Sequence, residues 1–324
     1  MNSISKYKEI TSKYISSLKI EKTPNELYDP IKYILSLGGK QLRPVLTLFT
    51  AEIFGAKYEK ALYAATAIEL FHNFSLIHDD IMDDAPLRRG HKTVHEKWNI
   101  NTGILSGDAM LILAYQYFEN YEPQIFKELA QLFSKTALEV CEGQQMDINF
   151  ETRTDVSVSE YIKMIQYKTA VLVGAALQMG AIVAETSIEN KKAIYDFGLN
   201  LGIAFQLQDD YLDAFGDATT FGKQIGGDIL ENKKTYLYLL ALENANTEQK
   251  QDLQTWFAST ENNSQEKINE VKYIFENTKA TLATQKQIED YTDKALAILN
   301  DLEINENHKN ELRIFALELM NRAV

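Results

Sequence analysis

The chain has 324 residues, 45% of them hydrophobic, enough to bury a sizeable core as one large domain or two. Its formal net charge of −13 argues against nucleic acid or an anionic membrane surface as the main partner. A phosphate ligand stays open, because metal ions held by acidic side chains would reverse the local sign.

The first twenty residues contain no long apolar core or small-residue cleavage site, so no signal peptide is read. No apolar run reaches the roughly 18 residues that cross a bilayer, which excludes stable membrane insertion by a helix. The one cysteine, Cys141, cannot form an internal disulfide and fits a reducing cytosol. A soluble, cytoplasmic protein is expected.

In chain order, helix follows helix. Residues 1–22 read as an amphipathic helix and 24–37 as another, closed by Gly38 and Gly39 as a C-terminal cap. Pro44 suits the first turn of a third, ending near Phe54. Further helices are expected near 59–84, 103–120, 124–147, 158–184, 188–215, 233–244, 247–258, 265–280, 285–302 and 306–322. The five prolines all lie at or before Pro123, so no strong breaker interrupts the later helices. Strand-length alternation bounded by hairpin turns is not visible, nor is a Gly/Ser-rich linker. Asp217–Asp228, rich in glycine, and Ser259–Ser264 read as the most flexible segments. The expectation is a single all-α domain over 1–324, a bundle of long, mostly antiparallel helices.

At the end of the apolar stretch ALYAATAIELFHNFSLI stands HDDIMDDAPLRRG, with Asp79, Asp80, Asp83 and Asp84. Asp79 and Asp83 are four apart, so on a helix they share a face and repel. A hard divalent cation between them resolves the repulsion. A second stretch, FQLQDDYLDAFGD, repeats the spacing with Asp209, Asp210 and Asp213 after another apolar run. One such cluster reads equally as a solvated helix end; two copies make that reading weak. If the two helices face each other, the carboxylates form two walls for several metal ions. Magnesium keeps some waters and shares phosphate oxygens, so a polyphosphate substrate is implied.

Several cations have no evident structural use. Lys40 and Arg43 follow two glycines whose backbone can approach an anion, although surface cations are commonly just solvated. Arg88 and Arg89 could salt-bridge Asp83 or Asp84, or present planar forks to phosphate. Lys168 enters an apolar helix beside Thr169 and needs a partner. Lys223 and Lys233 flank the glycine-rich segment. His72 reads as a core histidine or as part of the cation group.

Taken together, GGKQLRP, FHNFSLIHDDIMDDAPLRRG, SGDAML, EGQQMD, YKTA, FQLQDDYLD and GKQIGGDILENKKTYL, in that order, closely resemble the trans-isoprenyl diphosphate synthases of the polyprenyl synthetase family, from about residue 30 to 240. The resemblance implies the all-α isoprenoid synthase fold around a central cavity and a homodimer. It makes Asp79 and Asp83 ligands of magnesium and Asp209 a ligand of a third ion, with Asp80, Asp210 and Asp213 in support. Lys40, Arg43, His72 and Arg89 match the pocket for isopentenyl diphosphate. Arg88, Gln144, Lys168, Thr169, Gln206, Lys223 and Lys233 match groups around the allylic diphosphate. None of these positions departs from the family pattern.

By the same resemblance, the allylic diphosphate leaves as an anion stabilised by three magnesium ions with Arg88, Lys168 and Lys233. The double bond of isopentenyl diphosphate attacks the cation, and the departed diphosphate takes the proton lost afterwards. Thr169 and Gln206 supply dipoles that do not trap the cation, and closure of 217–228 excludes water. Phe74 lies about 7.5 Å along the helix axis from Asp79 and can floor the product channel, with Ser75 leaving room; equally, Phe74 can be plain core. The pattern resembles short-chain synthases, geranylgeranyl before farnesyl diphosphate. The alternatives are a longer-chain synthase, a terpene cyclase, disfavoured by the second DDxxD and by Lys40 and Arg43, and a non-catalytic prenyltransferase subunit, disfavoured by two intact motifs.

Overall fold

The computed structural model describes residues 3–20, 22–217, 225–258 and 265–320. Its contacts divide into two compact units, residues 1–134 with 175–192, and residues 135–174 with 193–324. The divisions fall inside helices, which agrees with a sequence that offers no linker. Among the described residues, no helix is long and apolar enough to cross a membrane.

In the first unit, α1 (Ser3–Ser16), α2 (Asn25–Ser36) and α3 (Leu42–Ile53) precede a short 3₁₀ turn (Tyr58–Ala61) and α4 (Leu62–Met82). The helix expected over 1–22 is shorter than its apolar pattern. Gly38 at φ 67° and Gly39 at φ 134° end α2 as expected, since left-handed backbone suits glycine. α4 buries residues on nearly every side, from Ala64 to Asp80, because α3 and α6 (Ile100–Phe118) both pack on it. Asn99 starts α6 by accepting from the N–H of Thr102 at 2.9 Å. Phe71, Phe118 and Phe133 fill the core edge-to-face, with ring centres 5.1–5.2 Å apart. Phe133 stands on α7 (Pro123–Thr152).

A feature the periodicity did not reveal lies between α4 and α6. Leu87–Arg88 (β1) and His91–Lys92 (β2) pair antiparallel, ahead of the one-turn α5 (Val94–Lys97). Arg89 (φ 55°) and Gly90 (φ 77°) form the two-residue turn, and left-handed backbone at both is what a tight hairpin needs.

The second unit contains the later part of α7, α8 (Val158–Ile165), a π turn (Gln166–Ala170), the start of α9 (Val171–Val183) and most of α10 (Ile188–Phe215). It continues with α11 (Gly227–Leu230), α12 (Tyr236–Asn244), α13 (Thr247–Ala258), α14 (Gln265–Asn277), α15 (Ala280–Asp301) and α16 (Glu306–Met320). Ser157 and Glu160 start α8 with reciprocal capping bonds. Phe150, Met164, Leu207, Leu212, Leu237, Val271 and Phe275 belong to one buried cluster.

The expected unbroken helix over 158–184 is therefore interrupted. The π turn carries Lys168 and Thr169, and Gly143 on α7 lies so close that any Cβ would collide with the backbone nitrogen of Lys168. Gly143→Ala is expected to cost about 1–3 kcal/mol of stability, read as a lower urea midpoint. An unchanged midpoint would show that the π turn can yield.

Candidate active site

The first acidic motif ends α4. The N–H of Asp83 donates to the carbonyl of Asp79 at 2.9 Å, so the two side chains stand one turn apart on one face. Asp80 points elsewhere: it is 1% exposed, and Arg88 grips it with Nε 2.8 Å from both oxygens and a terminal nitrogen 2.6 Å from Oδ1. Burial pushes the Asp80 carboxyl upward and Arg88 pulls it back. Arg88 also lies 4.0 Å from Asp79, so its closest carboxylate contacts are Asp80 and then Asp79, with Asp83 acting on it electrostatically.

The hairpin turns Arg89 the other way. Its guanidinium lies against Gly39, where an added Cβ would come within 2.7 Å of Cζ, so Gly39 makes room for it. Lys40 follows Gly39 as an exposed residue. Arg43, on the first turn of α3, lies 3.2 Å from His72 Nε2. Arginine can only donate, so Nε2 accepts and the ring proton of neutral His72 sits on Nδ1. Burial, followed by Arg43, Arg89 and Arg88, holds His72 well below its ordinary range. Burial lowers Arg43 to about 10, still charged at neutral pH.

Phe74 is buried, 4.7 Å from the His78 ring and 5.4 Å from Phe71 between ring centres. His78 donates from Nε2 to the carbonyl of Ile104 on α6 at 3.1 Å. The Ser75 hydroxyl bonds back to the carbonyl of His72 at 2.8 Å.

In the second unit, the other acidic motif occupies the last turns of α10. Asp209 is half-buried. Asp210, 6% exposed, accepts from the Tyr161 hydroxyl at Oδ2 and from Gln206 Nε2 at Oδ1, 2.9 Å. Thr169 in the π turn donates to Gln206 Oε1 at 3.1 Å and extends this chain of bonds. Burial and the nearby charge of Asp228 push the Asp210 carboxyl up. Asp213 accepts the N–H of Asp228 at 2.9 Å, and its carbonyl that of Gly226 at 2.6 Å, which fastens the returning loop to α10. Gln144 is half-buried on α7. Lys168 donates to Asp147, also on α7, at 2.5 Å, which supplies the partner a lysine entering an apolar helix needs. Lys233 lies 2.8 Å from Glu231 and 3.8 Å from Asp228. Lys223 lies outside the described residues, as does most of the 217–228 loop and the 259–264 segment.

The structure thus gathers Lys40, Arg43, His72, Arg88, Arg89 and the first motif in one unit. It gathers Gln144, Lys168, Thr169, Gln206, Lys233 and the second motif in the other. Asp147, Tyr161 and Lys234 escaped the sequence reading. Lys234 donates to the carbonyls of Phe150 at 2.6 Å and Glu151 at 2.9 Å, closing the end of α7. Of these, only the charge partner of Lys168 was signalled in advance.

Divalent magnesium fits the acidic donor set. Asp79, Asp83 and Asp209 offer hard oxygen donors on helix faces. Among the described residues, no three His, Cys, Asp or Glu side chains form a ready cage. Magnesium does not require one, because it retains waters and shares phosphate oxygens.

The profile of the family described as Polyprenyl synthetase matches residues 24–276. The chain is 41% identical over 237 residues to the geranylgeranyl pyrophosphate synthase of Geoglobus acetivorans, covering 72% of this chain and 74% of that one. A crystal structure of a geranylgeranyl pyrophosphate synthase, 53% identical, superposes with a TM-score of 0.93 over 100% of both chains. A geranylgeranyl pyrophosphate synthase from Corynebacterium glutamicum, complexed with isoprenyl diphosphate and magnesium, is 27% identical with a TM-score of 0.87, over 98% of this chain and 99% of that one.

The neutral state of His72 has a measurable consequence. In the unfolded chain it titrates near 6.5, whereas the folded protein takes up this proton only at lower pH. Below about pH 6.5 the unfolded state therefore binds more protons and is favoured. Relative to His72→Gln, the wild-type unfolding free energy is expected to fall by up to about 1.4 kcal/mol per pH unit between pH 6 and 5. Parallel pH dependence in urea titrations would mean that folded His72 accepts the proton.

Proposed function

The chain belongs to the polyprenyl synthetase family and is a prenyltransferase, and we propose that it condenses isopentenyl diphosphate with an allylic diphosphate. The product is an all-trans prenyl diphosphate of fifteen to twenty carbons, geranylgeranyl diphosphate being favoured. One catalytic domain spans 1–324 in this reading, and the match to the 53% identical structure over both whole chains supports it. The observation that carries the reading is the division of the first motif: Asp80 is spent on Arg88, while Asp79 and Asp83 share the opposite use of one helix face.

Asp79 and Asp83 would hold magnesium and Asp209 a further ion, with Asp80, Asp210 and Asp213 as supports that fix the ligands and the loop. Magnesium held there, three ions in this reading, would supply positive charge to the departing diphosphate. Arg88 is kept in place by Asp80 and presents its remaining donors to that diphosphate. Lys168, Gln144, Lys233 and Lys223 add donors around it, and Lys168 can exchange Asp147 for phosphate oxygens. Thr169 and Gln206, already bonded to each other, offer neutral dipoles near the allylic cation, where a free carboxylate would capture it. Lys40, Arg43, His72 and Arg89 hold isopentenyl diphosphate so that its double bond reaches the cation.

Phe74 floors the product channel in this account, braced by Phe71 and His78. Ser75, its hydroxyl turned into its own helix, leaves space above. A second copy of the chain is the expected partner, and exposed Ile104, Leu105 and Ile112 along α6 give it an apolar surface to cover. The site of action is cytoplasmic, which suits the unpaired Cys141.

The test is incubation of the protein with magnesium, labelled isopentenyl diphosphate and dimethylallyl, geranyl or farnesyl diphosphate, with products resolved by length. Fifteen- or twenty-carbon products that vanish with chelator are expected. No elongation from any primer would overturn the reading. Phe74→Ala is expected to shift products beyond twenty carbons, and an unchanged distribution would return Phe74 to a core role.

A further inference from the structure

Glu69 carries a buried carboxyl that none of these steps uses; burial pushes it up from its ordinary range, and Asn73, Arg43 and Arg89 pull it back toward the charged form. It lies on α4, three residues before His72, in an apolar stretch of the first unit, and is 3% exposed. Asn73 donates from Nδ2 to both its backbone carbonyl, 2.9 Å, and its Oε1, 3.0 Å, which fixes the side chain. Glu69 Oε2 and Arg43 Nε are both buried without a hydrogen-bond partner among the described residues. The two groups act on each other electrostatically, and Glu69 also feels Arg89. A buried carboxylate in an apolar helix is costly unless it answers an opposite charge. The opposite charges within its reach are the two arginines assigned to isopentenyl diphosphate.

We propose that Glu69 is a positioning residue for the isopentenyl diphosphate pocket, a fixed internal counter-charge that orients Arg43 and, through it, His72. The inference rests on the reading of that pocket given above. Arg43 reaches His72 with one terminal nitrogen, and its attraction to the buried Glu69 carboxylate adds a second restraint on the guanidinium. A planar fork set before the ligand arrives loses less freedom on binding phosphate. Removing the carboxylate has two opposed effects. The pocket becomes more positive, which favours any anion, and the fork loses its orientation, which disfavours a particular one. Orientation dominates here, because the carboxylate is locked by Asn73 and has no other evident use.

The decisive variant is Glu69→Gln in the full chain, which keeps shape and places a neutral amide beside the arginines. Isopentenyl diphosphate is titrated calorimetrically into metal-free protein, and both substrate KM values are measured with magnesium. The expected result is about ten-fold weaker isopentenyl diphosphate binding and an equal rise in its KM, the size of one lost charge-assisted contact. The allylic KM should stay within about two-fold, which a general loss of packing would not allow. Should Glu69→Gln not fold, Asn73→Ala frees the carboxylate without removing its charge and is expected to raise the same KM selectively by about three-fold. Unchanged or tighter isopentenyl diphosphate binding, or equal weakening for both substrates, would overturn the proposal. Wild-type binding without condensation would instead refute the proposed reaction and leave this inference standing.

Discussion

Neighbouring carboxylates on a helix cannot share one task, and the site is organised around that constraint. Consecutive residues project about 100° apart, so Asp79 and Asp80 cannot face the same ion squarely, whereas Asp79 and Asp83 can. The protein gives the buried Asp80 to the half-buried Arg88. The second motif repeats the arrangement with other chemistry, as Tyr161 and Gln206 occupy both oxygens of Asp210. In each motif one acid is buried against side-chain donors while its neighbour is only half-buried. A buried acid left without these donors would be expensive, so the partners are as necessary as the motif.

The cations obey a complementary rule. Arg88 and Arg89 are adjacent in sequence, yet the hairpin sends one to Asp80 and the other to Gly39. A helix would have fanned them over adjoining faces. His72 adds no charge to this crowded group, because desolvation and three arginines keep it neutral. It serves instead as a shaped acceptor for Arg43. The group therefore concentrates positive charge without a contribution from His72.

Much of this was legible in the sequence, for identifiable reasons. The apolar run before Asp79 is long enough for periodicity to announce a buried helix, and the four-residue spacing of the acids survives in α4. Gly38 and Gly39 announced the end of α2 because few other residues accept left-handed backbone. The helix over 188–215 was read with its observed bounds. What escaped was either too short or too distant. Two-residue strands leave no alternation to detect, and their one signal was an Arg-Gly turn. The π turn depends on the close approach of Gly143, a contact across helices that local pattern cannot carry. Tyr161 lies 49 positions from Asp210, and as an aromatic on an amphipathic helix it reads as core. Glu69 reads as a polar interruption of an apolar run until its burial is known.

The claim tested most directly is that the acids serve the allylic diphosphate through metal while Lys40, Arg43, His72 and Arg89 serve isopentenyl diphosphate without it. The measurement is calorimetric binding of geranyl diphosphate alone, so that no condensation occurs, with magnesium or with chelator, in wild-type protein and in Asp79→Asn. Affinity is expected to fall at least about ten-fold when either magnesium or the Asp79 charge is removed, while isopentenyl diphosphate binding changes little. Geranyl diphosphate binding that is indifferent to both would contradict it.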